Sequence, residues 1–376
     1  MFKTRFRLGK LFGIPIQIDA SWLLIFLWVT WSLAASYYPR RHPEWSTALL
    51  WSLGIATSLL FFASVLMHEL GHSLVARRSG IPVKSITLFI FGGVAEIMDE
   101  PRTPLQELKV AAVGPLVSLA LSALFALVHL VSRGALEPLA AMALALGSIN
   151  LSLGLFNLIP GFPLDGGRVL RALLWSYKHN LRWATRWASW VGQGVAYLFV
   201  LLGIVQAFSR TWVDGIWLAL IGLFLDNAAR SQYQQLTLRS LLDGYAVRDI
   251  MGHDCALIPP ELTLDVLVEQ YLLPRARRCY AVGQGDRIEG LLTVHNVSAV
   301  AKVDWPFTRA AEVYTPLSAL RAVRSDTSLW AALQHMTSDG VNQLPVVEDG
   351  RFYGMVTREE LLTFVRNRAE LGDDGA

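Results

Sequence analysis

The sequence predicts a polytopic α-helical membrane domain with about six transmembrane helices and a short β element, followed by a cytosolic α/β domain built from a tandem repeat. Three observations carry this expectation. Of 376 residues, 53% are apolar or aromatic and 17% are charged, against roughly 25% charged in an ordinary soluble chain. The deficit is uneven, with 29 of the 63 charged residues in 1–226 and 34 in the remaining 150. Eleven of the 13 tryptophans also precede residue 227, as suits amphipathic rings at headgroup depth. The same composition excludes a disordered, fibrous or disulfide-stapled chain. A net charge of +3, without basic runs interleaved with aromatics, excludes a nucleic-acid partner. The two cysteines, Cys255 and Cys279, lack metal-site spacing and read as reduced, buried residues.

Met1 to Lys10 carries Lys3, Arg5, Arg7 and Lys10, with no small-residue cleavage site after the apolar run that follows, and reads as a retained anchor. Apolar stretches recur at about 20–38, 47–67, 108–132, 138–159, 187–208 and 211–227, each near the roughly 20 residues that cross a bilayer as a helix. With six spans, one set of connecting segments holds sixteen basic residues and the other four, Arg40, Arg41, Arg133 and Arg210. The positive-inside rule therefore places both termini in the cytoplasm. Val83–Ile97, rich in β-branched and aromatic residues and too short to span, predicts one or two strands. A membrane domain over 1–227 gives way to a linker at 228–243. Short β-like and helical runs then alternate twice within 244–376, which implies two repeats of about 60 residues.

The second apolar stretch ends in His68-Glu69-Leu70-Gly71-His72. Residues four apart lie about 40° apart around a helix, so both imidazoles leave one face and can hold one zinc ion while Glu69 acts on its water. This H-E-x-x-H spacing is an established zinc-protease signature. Ionisable groups at the end of so apolar a run are costly unless a partner or wet cavity receives them. A catalytic zinc needs a third protein ligand, and Asp165 is the candidate: Pro160, Pro163, Gly166 and Gly167 break the helix and let it turn back. Equally, Asp165 could cap the helix that follows.

At this point the chain resembles the site-2 protease family of zinc intramembrane metalloproteases, in its CBS-bearing branch. The resemblance rests on His68-Glu69-Leu70-Gly71-His72, Gly92-Gly93, Gly114-Pro115, and Asn157-x-x-Pro160 running into Leu164-Asp165-Gly166, and covers roughly residues 8–226. It implies His68, His72 and Asp165 as ligands of one zinc ion, Glu69 as catalytic base and Asn157 as a donor to the developing oxyanion. Asn157 could instead make an interhelical contact. The expected activity is hydrolysis of peptide bonds in or near transmembrane segments of membrane-bound regulatory proteins, in a prokaryotic cell membrane. An open edge of Val83–Ile97 could take up an unwound substrate as an added strand, with Gly92 and Gly93 allowing close approach, or those glycines could only form a tight turn. Ser148, Asn150 and Ser152 could line a water path or pack helices.

The tail resembles a tandem of cystathionine-β-synthase-type (CBS) repeats, over about 244–302 and 309–368. Such pairs bind ATP or AMP and associate into homodimers, and the resemblance extends both expectations to this chain. The ribose-binding pattern is altered here: Thr293 precedes Asn296 and Thr357 precedes Glu360, so that Thr357 and Glu360 are the candidate nucleotide contacts. The alternative is a purely structural or docking module. A second functional class fits the same residues, a CBS-gated metal-ion transporter or channel in which His68, Glu69, His72 and Asp165 pass the ion.

Overall fold

The structure is a computed structural model that describes residues 5–371 except 91, 98, 210–211, 253–255, 276–278, 285–286, 317–318, 320 and 349–350. Two compact units comprise Met1–Gln234 and Gln235–Ala376.

In the first unit, strands β1 (Arg5–Leu11) and β2 (Ile14–Asp19) precede helix α1 (Ser21–Ser32), which continues as a π-helical turn over Leu33–Tyr37. Helix α2 (Thr47–Arg78) is followed by β3 (Val83–Phe89) and β4 (Gly92–Ile97). Helices α3 (Pro104–Ser132), α4 (Glu137–Asn157), α5 (Asp165–Lys178), α6 (Leu181–Ser209) and α7 (Trp212–Leu242) follow, the last eight residues of α7 belonging to the second unit. Each of the six apolar stretches is helical to within about two residues. Among the described residues α2, α3, α4 and α6 are long and apolar enough to cross a membrane, while Ser21–Tyr37 is a shorter apolar helix. The sixth stretch lies in α7, and the segment 228–243, expected as a linker, continues that helix to Leu242.

Local chemistry sets the helix ends. Ser46 caps α2 by accepting from the Leu49 N–H at 3.4 Å, and Arg77 and Arg78 lie in its last turn, where cations suit the partial negative charge of the helix end. Thr103 caps α3 through the Gln106 N–H at 3.2 Å, with Pro104 as its first residue. The buried face of α2 includes Gly54, Thr57, Ser58 and Ser64. Small side chains of this kind let helices approach closely in an apolar solvent, where no hydrophobic force drives helix against helix.

The strands of this unit form one sheet in the order β1-β2-β3-β4. β1 and β2 are antiparallel, β2 and β3 parallel, β3 and β4 antiparallel. Ile14, Ile16 and Ile86 are buried against Leu66, Leu70 and Leu74 of α2, so the sheet lies along the segment that carries His68 and His72. β4 is an edge strand. The hairpin of β1 and β2 occupies the basic N-terminal stretch, where no strand was expected. Its positive charges hid the polar/apolar alternation Arg5-Phe6-Arg7-Leu8, which has the period of a strand.

In the second unit, β5 (Leu257–Ile258), β6 (Cys279–Gln284), β7 (Arg287–Thr293) and β8 (Thr315–Pro316) form one sheet, and β9 (Gln343–Glu348) pairs antiparallel with β10 (Arg351–Thr357). The unit has two cores, one around Leu264, Leu267, Tyr280 and Leu292 that also takes in Ala310, the other around Leu329, Met336, Leu344 and Leu361 that also takes in Val247. Ala281, Leu291 and Met355 join the two sheets. Of the two cysteines, Cys279 opens β6 and Cys255 lies outside the described residues.

Candidate metal centre and active site

His68 and His72 project from one face of α2 and are each only 4% exposed. Their Nε2 atoms lie 3.2 Å apart, and Asp165 Oδ2 is 3.1 Å from each. The other ring nitrogens engage α3: His72 Nδ1 lies 2.6 Å from the Val110 carbonyl oxygen and His68 Nδ1 2.9 Å from Ser118 Oγ. A carbonyl oxygen only accepts, so His72 Nδ1 carries the proton and Nε2 of the neutral ring presents its lone pair. That lone pair converges with a carboxylate oxygen and a second imidazole nitrogen. With His68 in the same tautomer, donating from Nδ1 to Ser118 Oγ, three acceptors meet there and repel one another unless a cation or a shared proton lies among them.

Their spacing fits zinc. Ligand atoms at about 2.0–2.1 Å around a tetrahedral ion are about 3.3–3.4 Å apart, within a few tenths of an ångström of the separations here, and two imidazoles with one carboxylate are a donor set of catalytic zinc sites. Hydrogen bonds from the outer ring nitrogens fix tautomer and ring orientation, as is usual for metal-bound histidine. Among the described residues, His68, His72 and Asp165 are the one group whose ligand atoms cluster in this way.

Two close approaches build the geometry. Gly114 of α3 faces the pair, and a Cβ there would collide with the Nε2 atoms of His72 and His68. Asp165 is the first residue of α5, whose N-cap is Leu164, and its carboxylate Oδ2 stands 3.1 Å from Nε2 of each histidine. The capping alternative for Asp165 is therefore not what the structure contains. Glu69, one residue along α2, points toward β4: a Cβ on Gly93 would stand 2.5 Å from Glu69 Cγ. Gly92 and Gly93 are paired in β4, opposite Phe89 and Leu88, so they belong to the strand and not merely to a turn. His68, Glu69, His72, Gly92, Gly93 and Asp165 border one cavity of about 720 Å³, to which Asn157 also contributes. Asn157 ends α4, and its Nδ2 donates to the Leu153 carbonyl at 3.0 Å.

The other candidates divide. Thr357 and Glu360 form a capping box: Thr357 Oγ1 accepts from the Glu360 N–H at 3.2 Å, and Glu360 Oε2 accepts from the Thr357 N–H at 2.7 Å. Thr293 and Asn296 repeat the arrangement, with the Thr293 N–H donating to Asn296 Oδ1 at 3.0 Å. Asn150 is buried and donates to Ser64 Oγ at 3.3 Å, whereas Ser148 is exposed and bonds back to the Leu144 carbonyl. His129 packs through a 2.8 Å contact to the Ala140 carbonyl oxygen.

Sequence reasoning overlooked α3 as the support of the site. Ser118 and the Val110 carbonyl leave no trace in composition or spacing, although Gly114-Pro115 marks the region. Arg171, just after Asp165, reads in the sequence as a cytoplasmic topology anchor that could also steady the aspartate through a hydrogen bond. Arg171 is instead 6% exposed and paired with Glu107 of α3, which is fully buried.

Residues 56–143 and 133–201 match Peptidase family M50, and residues 311–367 match the CBS domain. A relative from Synechocystis sp., named as a zinc metalloprotease, is 34% identical over 368 residues, covering 96% of each chain. Another so named, from Mycobacterium tuberculosis, is 33% identical over 363 residues, covering 95% of this chain and 92% of the relative. The solved site-2 protease from Methanocaldococcus jannaschii is 34% identical over 61% of this chain and 95% of its own, with a TM-score of 0.43. On the whole-length relatives and the family match, this chain belongs to Peptidase family M50, the site-2 protease family, and carries a CBS domain toward its C-terminus.

Proposed function

We propose that this protein is a zinc intramembrane metalloprotease that cuts membrane-bound regulatory proteins in or near their spanning segments, under the control of its CBS pair. The observation that carries the reading is the convergence of His68 Nε2, His72 Nε2 and Asp165 Oδ2, with Glu69 alongside, on one cavity bordered by an edge strand. His68, His72 and Asp165 hold the zinc. When bound, it supplies Lewis acidity to a water molecule and to the scissile carbonyl. Glu69 takes the proton of that water as attack proceeds and passes it to the leaving amine. Asn157 turns its Nδ2 from the Leu153 carbonyl toward the developing oxyanion. The edge of β4 receives the unwound substrate as an added strand, with Gly92 and Gly93 allowing its backbone to pass close to Glu69.

The membrane domain occupies 1–227 and both termini are cytoplasmic, as the sixteen-to-four distribution of basic residues supports. The CBS repeats, over about 244–302 and 309–368, dimerise and bind ATP or AMP. Thr357 and Glu360 contact the ribose once the carboxylate leaves its capping position.

The test is cleavage of a panel of single-span reporters by purified full-length protein, with and without ATP. Cleavage that stops on chelation and returns with zinc is the expected result. Zinc flux into liposomes without cleavage of any reporter would overturn the reading in favour of a transporter. Asn157→Ala is expected to lower kcat by roughly 10²–10³-fold, the usual loss when one oxyanion donor is removed, with zinc content unchanged. Steady-state rates and metal analysis on the same preparation check it.

A further inference from the structure

Outside the ligand set, one charged pair lies buried between α3, which orients the two histidines of α2, and α5, which carries Asp165. Arg171 Nε donates to Glu107 Oε1 at 2.6 Å, and Arg171 Nη2 approaches the same oxygen. Glu107 is 0% exposed and Arg171 6%. The Arg171 guanidinium also stacks over the Phe162 ring, 5.2 Å from its centroid. Glu107 Oε2 is buried without a partner among the described residues, so Arg171 is the cation on which this carboxylate depends.

The placement of the pair is informative. Glu107 precedes Val110 by three residues on α3, about 4.5 Å along the axis, and the Val110 carbonyl fixes His72. Arg171 follows Asp165 by six residues on α5, about 9 Å along the axis. The histidines thus take their orientation from α3, while the third ligand is carried by α5. An apolar contact between two helices tolerates small sliding, because packing is nondirectional, whereas a guanidinium gripping one carboxylate oxygen does not. A desolvated ion pair is weak evidence for stability, and register is the best-attested reason for keeping one.

We propose that Glu107 and Arg171 are positioning residues of the metal centre: their buried ion pair locks α5 against α3 and so sets Asp165 Oδ2 at bonding distance from His68 and His72. The inference rests on the reading of His68, His72 and Asp165 as zinc ligands. Without the lock the ligand set remains, but Asp165 samples positions too far from the histidines.

The test uses full-length protein in lipid nanodiscs, with Co²⁺ as a spectroscopic substitute and zinc affinity measured against a chromophoric chelator. Wild type is expected to give a tetrahedral Co²⁺ spectrum that Asp165→Ala abolishes. Glu107→Gln and Arg171→Met are each expected to weaken zinc binding by about 10–100-fold, the range for residues that orient metal ligands, and to shift the Co²⁺ bands. A merely structural role would leave those bands in place in the folded fraction. Should either single variant fail to fold, the double variant Glu107→Gln/Arg171→Met leaves no uncompensated charge and is expected to fold with the same weakened zinc and shifted bands. Wild-type affinity and spectrum in the folded variants, single or double, would overturn the lock alone. A wild type without the tetrahedral spectrum would overturn the metal-centre reading and the lock with it.

Discussion

Glu69→Gln is expected to abolish cleavage, by 10³-fold or more, while the protein keeps one zinc per chain. Glutamine preserves the size and a hydrogen-bonding oxygen of the side chain but cannot take a proton from water. General-base catalysis alone contributes typically 10²–10⁴-fold. Glu69 is not part of the cluster formed by His68, His72 and Asp165, so its charge is not needed to hold the metal. Rate measurements on a single-span reporter together with metal analysis separate the two effects. Loss of both zinc and activity would make Glu69 a ligand, and retention of both would remove it from the chemistry.

Gly114→Ala should have an effect of similar size through another route. The methyl group would be built onto the Nε2 atoms of His72 and His68, at the place where their lone pairs converge. Neither ring can swing away at low cost, because His72 Nδ1 is bonded to Val110 and His68 Nδ1 to Ser118, both on the helix that would carry the new methyl. Retreat therefore breaks a buried hydrogen bond, which costs about 1–3 kcal/mol for the polar group left unpaired. Zinc occupancy is expected to fall to background and activity with it, while the helical content measured by circular dichroism stays unchanged. Full zinc occupancy in this variant would show that α3 does not press on the site as described.

The comparison of sequence with structure follows from the range of each physical signal. His68 and His72 were legible because ligand spacing on a helix is local, whereas the loop breakers around Asp165 left ligand and helix cap equally open and only the family resemblance chose between them. The two strands of Val83–Ile97 were legible from their β-branched residues. What escaped was set by contacts distant in sequence. Val110 and Ser118 meet the histidines across 38 and 50 residues, and Glu107 meets Arg171 across 64. Nothing in the spacing of α3 distinguishes these positions from ordinary helix residues. The hairpin of β1 and β2 was missed for another reason, since a basic stretch before a membrane span has a sufficient topological explanation and its alternation went unread.

The length of α2 bears on where along a substrate the protein can cut. Its 32 residues reach about 48 Å at about 1.5 Å each, half as long again as the roughly 30 Å hydrocarbon core of a bilayer. The apolar stretch 47–67 accounts for about 31 Å of that by itself, so that, if it alone crosses the hydrocarbon, His68 to His72 are expected at the depth where hydrocarbon gives way to headgroups. A substrate helix standing beside α2 then offers the metal a bond near its own end. On the proposed function such a helix would need to slide or fray by only a few residues to be cut, and segments whose last turn is weakened by glycine, proline or asparagine are the expected substrates.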